Sequence, residues 1–239
     1  MAPRVITSRD NEKLKLVRKL HERRWRDKLG LFVAEGEDLV DAAFAAGVEP
    51  VELLVAGENV EPALLAATSA LAHPPRVVGI YRRGDLPRGT REVGIALWHV
   101  ADPGNVGTLL RSADAFGACA ALSESSADPT GPKALRASMG AVFRVPTCAF
   151  EDAPGRLVAL VAHGGAPLHA LDLDGATTFV LGAERAGLAD AVLARCEASA
   201  TIALTGGAES LNVAMAGTIA LYERTRRSGT RPGSDPGRG

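Results

Sequence analysis

Aromatic side chains are scarce in this sequence: Phe, Trp and Tyr together make up 4% of its 239 residues. With 46% hydrophobic residues, a sizeable core is still available, but it has to be built from aliphatic side chains and closely approaching backbones. No run of 18 or more apolar residues occurs, which excludes an ordinary transmembrane helix, and Met1–Asp10 lacks the apolar stretch of a secretory signal. Cysteine is limited to Cys119, Cys148 and Cys196, far apart and without a CxxC spacing. That pattern excludes a disulfide framework and a cysteine-held zinc, and fits small buried side chains in a reducing cytoplasm. The histidines offer no metal-ligand spacing either. The GxGxxG fingerprint of dinucleotide-binding enzymes is absent, which counts against a nicotinamide-dependent oxidoreductase. Excess charge is missing as well: the net charge of −1 excludes attachment to nucleic acid by bulk charge alone.

The charge that is present is unevenly placed. Between Arg4 and Lys28 ten Lys and Arg face four Asp and Glu. Such a segment, with Arg23, Arg24, Arg26 and Lys28 at its end, can follow a phosphate backbone or simply form a solvated helix face.

Periodicity divides the chain into two α/β units. In the first, about 6–82, Leu14, Val17 and Leu20 recur at helical spacing. Strands are predicted at Leu31–Ala34, Val51–Val55 and Arg76–Tyr81, with helices at Glu37–Ala46, stopped by Gly47, and Glu61–Leu71. Residues 82–91, polar and broken by Gly and Pro, read as a linker. In the second, about 92–227, strands are predicted at Ile95–Val100, Ala118–Leu122, Thr178–Leu181 and Thr201–Leu204. Helices are predicted at Val106–Phe116, Lys133–Met139, Leu157–His163 and Leu211–Arg226. Continuous apolar strands joined through helices imply a buried parallel sheet. The tail, 228–239, holds Gly, Pro, Ser and Arg with Thr and Asp but nothing apolar, and is expected to be disordered.

Three loops of the second unit place polar residues and glycine just beyond an apolar strand, where open parallel sheets bind ligands. The first runs from Asp102 to Gly117. Gly104 and Gly107 permit close backbone approach, Asn105 lies near a helix N-terminus suited to an anion, and Arg111 follows nearly two turns later. The second runs Leu181-Gly182-Ala183-Glu184 to Gly187, glycines that let a flat ligand lie against the backbone. The third runs from Ile202 through Leu204 to Ser210-Leu211-Asn212, opening a helix kept slim by Ala214, Ala216, Gly217 and Ala220, either for tight packing or for another chain. Each loop alone is equally readable as an N-capped helix or an ordinary strand-to-helix turn.

In this order they resemble the SpoU/TrmH family of RNA ribose 2'-O-methyltransferases. The match is carried by N-x-G-x-x-x-R with a downstream FG (Asn105, Gly107, Arg111, Phe116, Gly117), by G-x-E-x-x-G (Gly182, Glu184, Gly187) and by S-L-N-V (Ser210 to Val213). A fourth stretch, Leu135 to Pro146 with Arg136, Ser138, Gly140 and Phe143, is similar to the family's R-x-S-x-G-A-x-F-x-x-P. Where many members read Ile-Pro-Met, this chain has Ile202-Ala203-Leu204, which keeps an apolar wall. The segment Arg26 to Gly36, followed by Asp38-Leu39-Val40, resembles the substrate-binding domain that often precedes the catalytic one.

The resemblance implies an α/β fold: a C-terminal SPOUT methyltransferase domain (92–227) with a deep trefoil knot, preceded by a small α/β RNA-binding domain (1–85). It implies S-adenosylmethionine as cofactor, RNA as substrate with ribosomal RNA favoured over transfer RNA, a homodimer, no metal and no membrane. Catalysis would involve Arg111, Asn105, Glu184, Ser210 and Asn212. The cofactor would meet Leu181, Gly182, Ala183, Glu184, Gly187, Ile202, Leu204, Ser210 and Leu211, and RNA would meet Arg23, Arg24, Arg26, Lys28 and Arg136. Whether Arg111 acts as a base or stabilises negative charge stays open, since a guanidinium holds its proton tightly. The alternatives are a transfer-RNA enzyme, a resistance enzyme acting on large ribosomal RNA, and a non-catalytic RNA-binding protein on the same fold.

Overall fold

The computed structural model describes residues 5–69, 71 and 73–228. Most of the expected tail, and Ala70 at the end of the expected Glu61–Leu71 helix, lie outside them.

The chain opens with α1 (Glu12–Leu20), capped by the Asn11 side chain accepting from the Lys13 N–H, and α2 (Arg23–Leu29), closed by Gly30 at φ +64°. Strands β1 (Leu31–Glu35), β2 (Glu52–Val55) and β3 (Val77–Arg82) form an antiparallel sheet in the order β1-β3-β2. Helices α3 (Glu37–Ala45) and α4 (Pro62–Ala66) complete this part. Leu14, Val17 and Leu20 of α1 are buried with Leu54, Leu65, Val78 and Ile80 on one face of the sheet. The opposite face holds Phe32 and Tyr81, and these pack on Leu135, Val142 and Phe143 from the second half of the chain. The rings of Phe32, Tyr81 and Phe143 stand 5.3–5.9 Å apart. A shared apolar core therefore spans the two halves.

The second sheet has seven strands, β4 (Val93–Leu97), β5 (Cys119–Leu122), β6 (Thr147–Ala149), β7 (Arg156–Leu160), β8 (Ala166–Pro167), β9 (Thr177–Leu181) and β10 (Ala198–Thr201). Their order is β6-β5-β4-β9-β7-β10-β8, and every pairing is parallel. Helices α5 (Pro103–Ala115), α6 (Pro132–Ser138), α7 (Asp190–Leu193) and α8 (Val213–Arg227) flank it. The central strands are buried on both faces, by Leu109 and Leu221 on one side and by Phe150 and Val192 on the other.

Several expectations are corrected. Residues 157–160 are strand, not helix, because Leu157-Val158-Ala159-Leu160 lies between β9 and β10. A strand buried on both faces shows no alternation that distinguishes it from a buried helix. The strand expected at 201–204 ends at Thr201, leaving Ile202–Leu204 outside the sheet. Strand β4 likewise ends at Leu97, before the expected Val100. Helix α5 begins earlier than expected, with Asp102 as its cap and Pro103 as its first residue. Residues 82–91 are tied down: Arg83 pairs with Asp27 and Asp128, and Arg88 bridges Thr147. Among the described residues no helix is long and apolar enough to cross a membrane.

Candidate active site

The three loops converge at the carboxyl ends of β4, β9 and β10. Asp102 caps α5 by accepting from the Asn105 N–H at 2.9 Å, and Lys133 Nζ holds its other oxygen at 2.6 Å. This cap aims the Asn105 side chain between the other two loops. Asn105 Nδ2 donates to Glu184 Oε1 at 2.9 Å, and Asn105 Oδ1 accepts from Asn212 Nδ2 at 3.0 Å. Asn212 in turn caps α8, its oxygen accepting from the N–H groups of Ala214 and Met215. A continuous polar chain, Glu184–Asn105–Asn212, joins segments some 80 to 107 positions apart.

Burial acts to raise the Glu184 carboxyl, but the hydrogen bond from Asn105 and backbone contacts with Glu184, Asp102 and Ala101 outweigh it, so its pKa lies below the ordinary value. Glu184 is thus an acceptor at neutral pH, and it fixes which way the Asn105 amide points.

Beside this chain lies a cleft of about 560 Å³, a size that suits a nucleoside-like ligand. All nine residues expected at a cofactor line it, from Leu181, Gly182, Ala183, Glu184 and Gly187 on one loop to Ile202, Leu204, Ser210 and Leu211 on the other. Gly182 is required by the fold of its loop: a Cβ there would stand 2.3 Å from the Gly187 carbonyl carbon. Ala183 and Gly187 exchange backbone hydrogen bonds at 3.1 and 2.9 Å, which closes the loop into a tight hairpin, and Gly187 holds φ +66°. Gly107 serves packing instead. Its missing Cβ lets α6 approach, the Ala134 carbonyl oxygen being 2.3 Å from where that atom would be. Gly217 likewise admits Leu109 and Leu181, so tight packing explains the small residue at that point of α8.

Sequence reasoning missed the wall formed by Leu160, Val161, Ala162 and His163, because that segment was expected to be helical. It also missed Glu209 and Arg185. Arg185, inside the second motif, lines the cleft and makes no hydrogen bond or ion pair among the described residues. Four of the five expected catalytic residues gather here: Glu184, Ser210 and Asn212 in the cleft, and Asn105 through its hydrogen bonds. Arg111 does not join them. It stands on the exposed face of α5, outside the lining and without a polar partner among the described residues.

Of the residues expected to meet RNA, Arg23, Arg24, Lys28 and Arg136 are exposed. The side chains of Lys19, Arg24 and Lys28 surround the Trp25 ring at 5.2, 5.5 and 5.3 Å from its centre. Arg26 is the correction: it is buried, donating to the Leu20 and His21 carbonyls and to Asp128, and has no face left for a phosphate. Among the described residues no group of His, Cys, Asp and Glu is placed to hold a metal ion.

The same architecture is found in characterised proteins. Residues 92–222 match the SpoU rRNA Methylase family, and residues 11–80 match the MRM3-like substrate binding domain. The 23S rRNA (guanosine(2553)-2'-O)-methyltransferase of Bacillus subtilis (strain 168) is 30% identical over 242 residues, 91% of this chain and 97% of that protein. An AdoMet-bound rRNA methyltransferase from Sinorhizobium meliloti superimposes with a TM-score of 0.83 at 30% identity, over 94% of this chain and 98% of that one. A SpoU methyltransferase from Streptomyces viridochromogenes, solved in complex with AdoMet, gives 0.80 at 27% identity over 92% and 100%. With its motifs brought together at one cleft, the chain belongs to the SpoU rRNA methylase family of methyltransferases.

Proposed function

We propose that this protein transfers the methyl group of S-adenosylmethionine to a ribose 2'-hydroxyl of ribosomal RNA. The observation that carries the reading is the Glu184–Asn105–Asn212 chain at the mouth of a cleft lined by all nine expected cofactor residues.

The cleft suits the cofactor. Leu160, Leu181, Ile202 and Leu211 offer apolar surface for an adenine, and the hairpin at Ala183–Gly187 offers backbone close by. When bound, S-adenosylmethionine supplies an activated methyl group on a sulfonium. The protein's task is then to align a ribose oxygen with that carbon and to manage the hydroxyl proton. Asn105, held from both sides, and Ser210 position the nucleotide. A guanidinium is protonated at neutral pH, so Arg111 acts by stabilising negative charge that develops on the attacking oxygen.

Arg111 reaches the reaction in a homodimer. On α8, Met215, Ile219 and Tyr222 are 61%, 38% and 55% exposed at spacings of four and three, an apolar stripe open to solvent. Ser112 of α5 touches Thr218 at 2.6 Å, and Phe116 meets Tyr222 edge-on, so α5, the helix that carries Arg111, lies directly beside α8. A second copy on this stripe buries it by twofold symmetry. The trefoil knot belongs to the same reading: β9 lies between β4 and β7, and α8 returns from β10 to pack on α5 and Leu181.

Residues 1–85 serve as the RNA-binding domain of this cytoplasmic enzyme, 92–227 as its catalytic domain, and Arg23, Arg24, Lys28 and Arg136 meet phosphates. The test is transfer of labelled methyl to large-subunit ribosomal RNA transcribed in vitro, comparing wild type with Arg111→Ala. Label recovered as 2'-O-methylribose from wild type alone is the expected result. Absence of label, with no S-adenosylmethionine binding by calorimetry, would leave an RNA-binding protein on this fold.

A further inference from the structure

We propose that His99, stacked on Trp98, is the platform on which an unpaired base of the RNA rests beside the ribose to be methylated. This rests on the reading above and adds to it the residue that positions the nucleotide.

In a chain with so few aromatic residues, three rings form a column that leads out of the core. Phe150 is fully buried, and Trp98, half-buried, lies 4.9 Å from it at an interplanar angle of 55°. The His99 imidazole lies on Trp98 at 4.4 Å and 13°, nearly parallel. His99 itself is exposed. Trp98 covers one face of the imidazole and supports it from below, so the column ends in a flat surface facing solvent. Stacking on such a surface suits any base, because every base presents a π-face.

The backbone is arranged to present this ring. His99 holds φ +56°, a left-handed conformation that a residue with a Cβ seldom adopts, and Met139 is the other non-glycine residue described with a positive φ. Hydrogen bonds on both sides hold it there. The Trp98 N–H donates to the Leu181 carbonyl at 2.8 Å, and the His99 N–H donates to Ser123 Oγ at 3.0 Å. Ser123 is fixed in turn by Ser126, whose hydroxyl donates to the Leu97 carbonyl. An unfavourable conformation over-determined by its surroundings is characteristic of functional positions.

The location gives the platform its use. His99 lines a recess of about 540 Å³ with Asp102, Asn105, Glu184 and Arg185. Glu184 and Arg185 also line the larger cleft, so the two hollows meet at the polar chain described above. A base on His99 therefore places its own or the neighbouring ribose near Asn105, with the Arg185 guanidinium, which has no partner among the described residues, available to a phosphate.

Two substitutions separate a stacking role from a structural one. His99→Asn removes the ring but retains a residue type that tolerates the left-handed conformation. His99→Phe retains a ring and removes both nitrogens. In the methyl-transfer assay on transcribed large-subunit ribosomal RNA, His99→Asn is expected to raise KM for RNA about tenfold, with kcat changed less than about twofold. His99→Phe is expected to restore KM to near the wild-type value, and both variants to bind S-adenosylmethionine normally by calorimetry. An unchanged KM in His99→Asn overturns the proposal, as does a loss in His99→Phe as large as in His99→Asn, which would assign the role to an imidazole nitrogen. A wild-type protein that transfers no methyl group would overturn the enzymatic reading instead.

Discussion

The Arg26 guanidinium meets the Asp128 carboxylate at 2.8 Å, with the two side chains only 5% and 9% exposed, and so joins α2 to the loop that precedes α6. Asp128 also receives Arg83 from the segment between the two sheets, and Thr130 donates to it at 2.7 Å. One carboxylate thus gathers two guanidiniums at the boundary between α2 and the part of the chain that carries the parallel sheet. Asp128→Ala would strand the buried Arg26 charge, while Arg83 keeps Asp27, and is expected to cost about 3–5 kcal/mol, the usual penalty for removing one partner of a buried pair. Denaturant unfolding checks this. A change below about 1 kcal/mol would mean that the apolar core around Phe32, Tyr81 and Phe143 holds the two parts together unaided.

The same carboxylate sets a pH dependence. Burial raises the Asp128 pKa, but the Thr130 hydrogen bond and the charges of Arg83 and Arg26 outweigh it, so the folded value lies below the ordinary 3.8. A depressed carboxylate contributes stability that is present above its unfolded pKa and is lost as pH falls through the folded one. Stability measured against urea should therefore be insensitive to Asp128 ionisation near neutrality and fall off in acid below 3.8. In Asp128→Asn that part of the acid dependence is expected to be missing.

The Asn105 side chain is hydrogen-bonded to both other loops of the polar chain. Asn105→Ala is expected to lower methyl transfer by about 10- to 100-fold, the range for losing a hydrogen bond to a charged group. Helix α5 should survive, because its cap is Asp102. Steady-state kinetics with circular dichroism as the folding control test this, and an activity within twofold of wild type would remove Asn105 from the mechanism.

Gly182→Ala places a methyl group 2.3 Å from the Gly187 backbone. Overpacking of that kind costs about 1–3 kcal/mol, and here the strain falls on the hairpin that forms one wall of the cleft. The expected outcome is at least about a tenfold weaker affinity for S-adenosylmethionine by calorimetry, with RNA binding retained.

Replacing Arg23, Arg24 and Lys28 together with Ala should weaken RNA binding and reduce the slope of log K against log salt by about two to three, as three phosphate contacts are lost. Arg26→Ala should lower the melting temperature instead, since its guanidinium is enclosed by protein.

How much of this was legible before folding depends on the kind of signal. The helices α1, α3, α5 and α8 could be read from apolar spacing, which is local, whereas the caps of α5 and α8, Asp102 and Asn212, emerged only with the fold. The strand β7 could not, since a segment buried on both faces carries no periodic mark. Its loss hid the wall at Leu160–His163. Arg26 was misread for a related reason: in sequence it is one more cation in a basic run, and its partner Asp128 lies 102 positions away.

By itself, the order of motifs around Asn105, Glu184 and Ser210–Asn212 was enough to mark the family, because a motif is a local string of residue types that the chain carries before it folds. The tertiary structure decided which of them meet. It joined Asn105 to Glu184 and Asn212, set His99 on Trp98 at the rim, turned Arg26 inward and left Arg111 on an open face. Those outcomes depend on the strand order β4-β9-β7-β10, which brings distant loops to one edge of the sheet. No local propensity encodes a contact between residues a hundred positions apart.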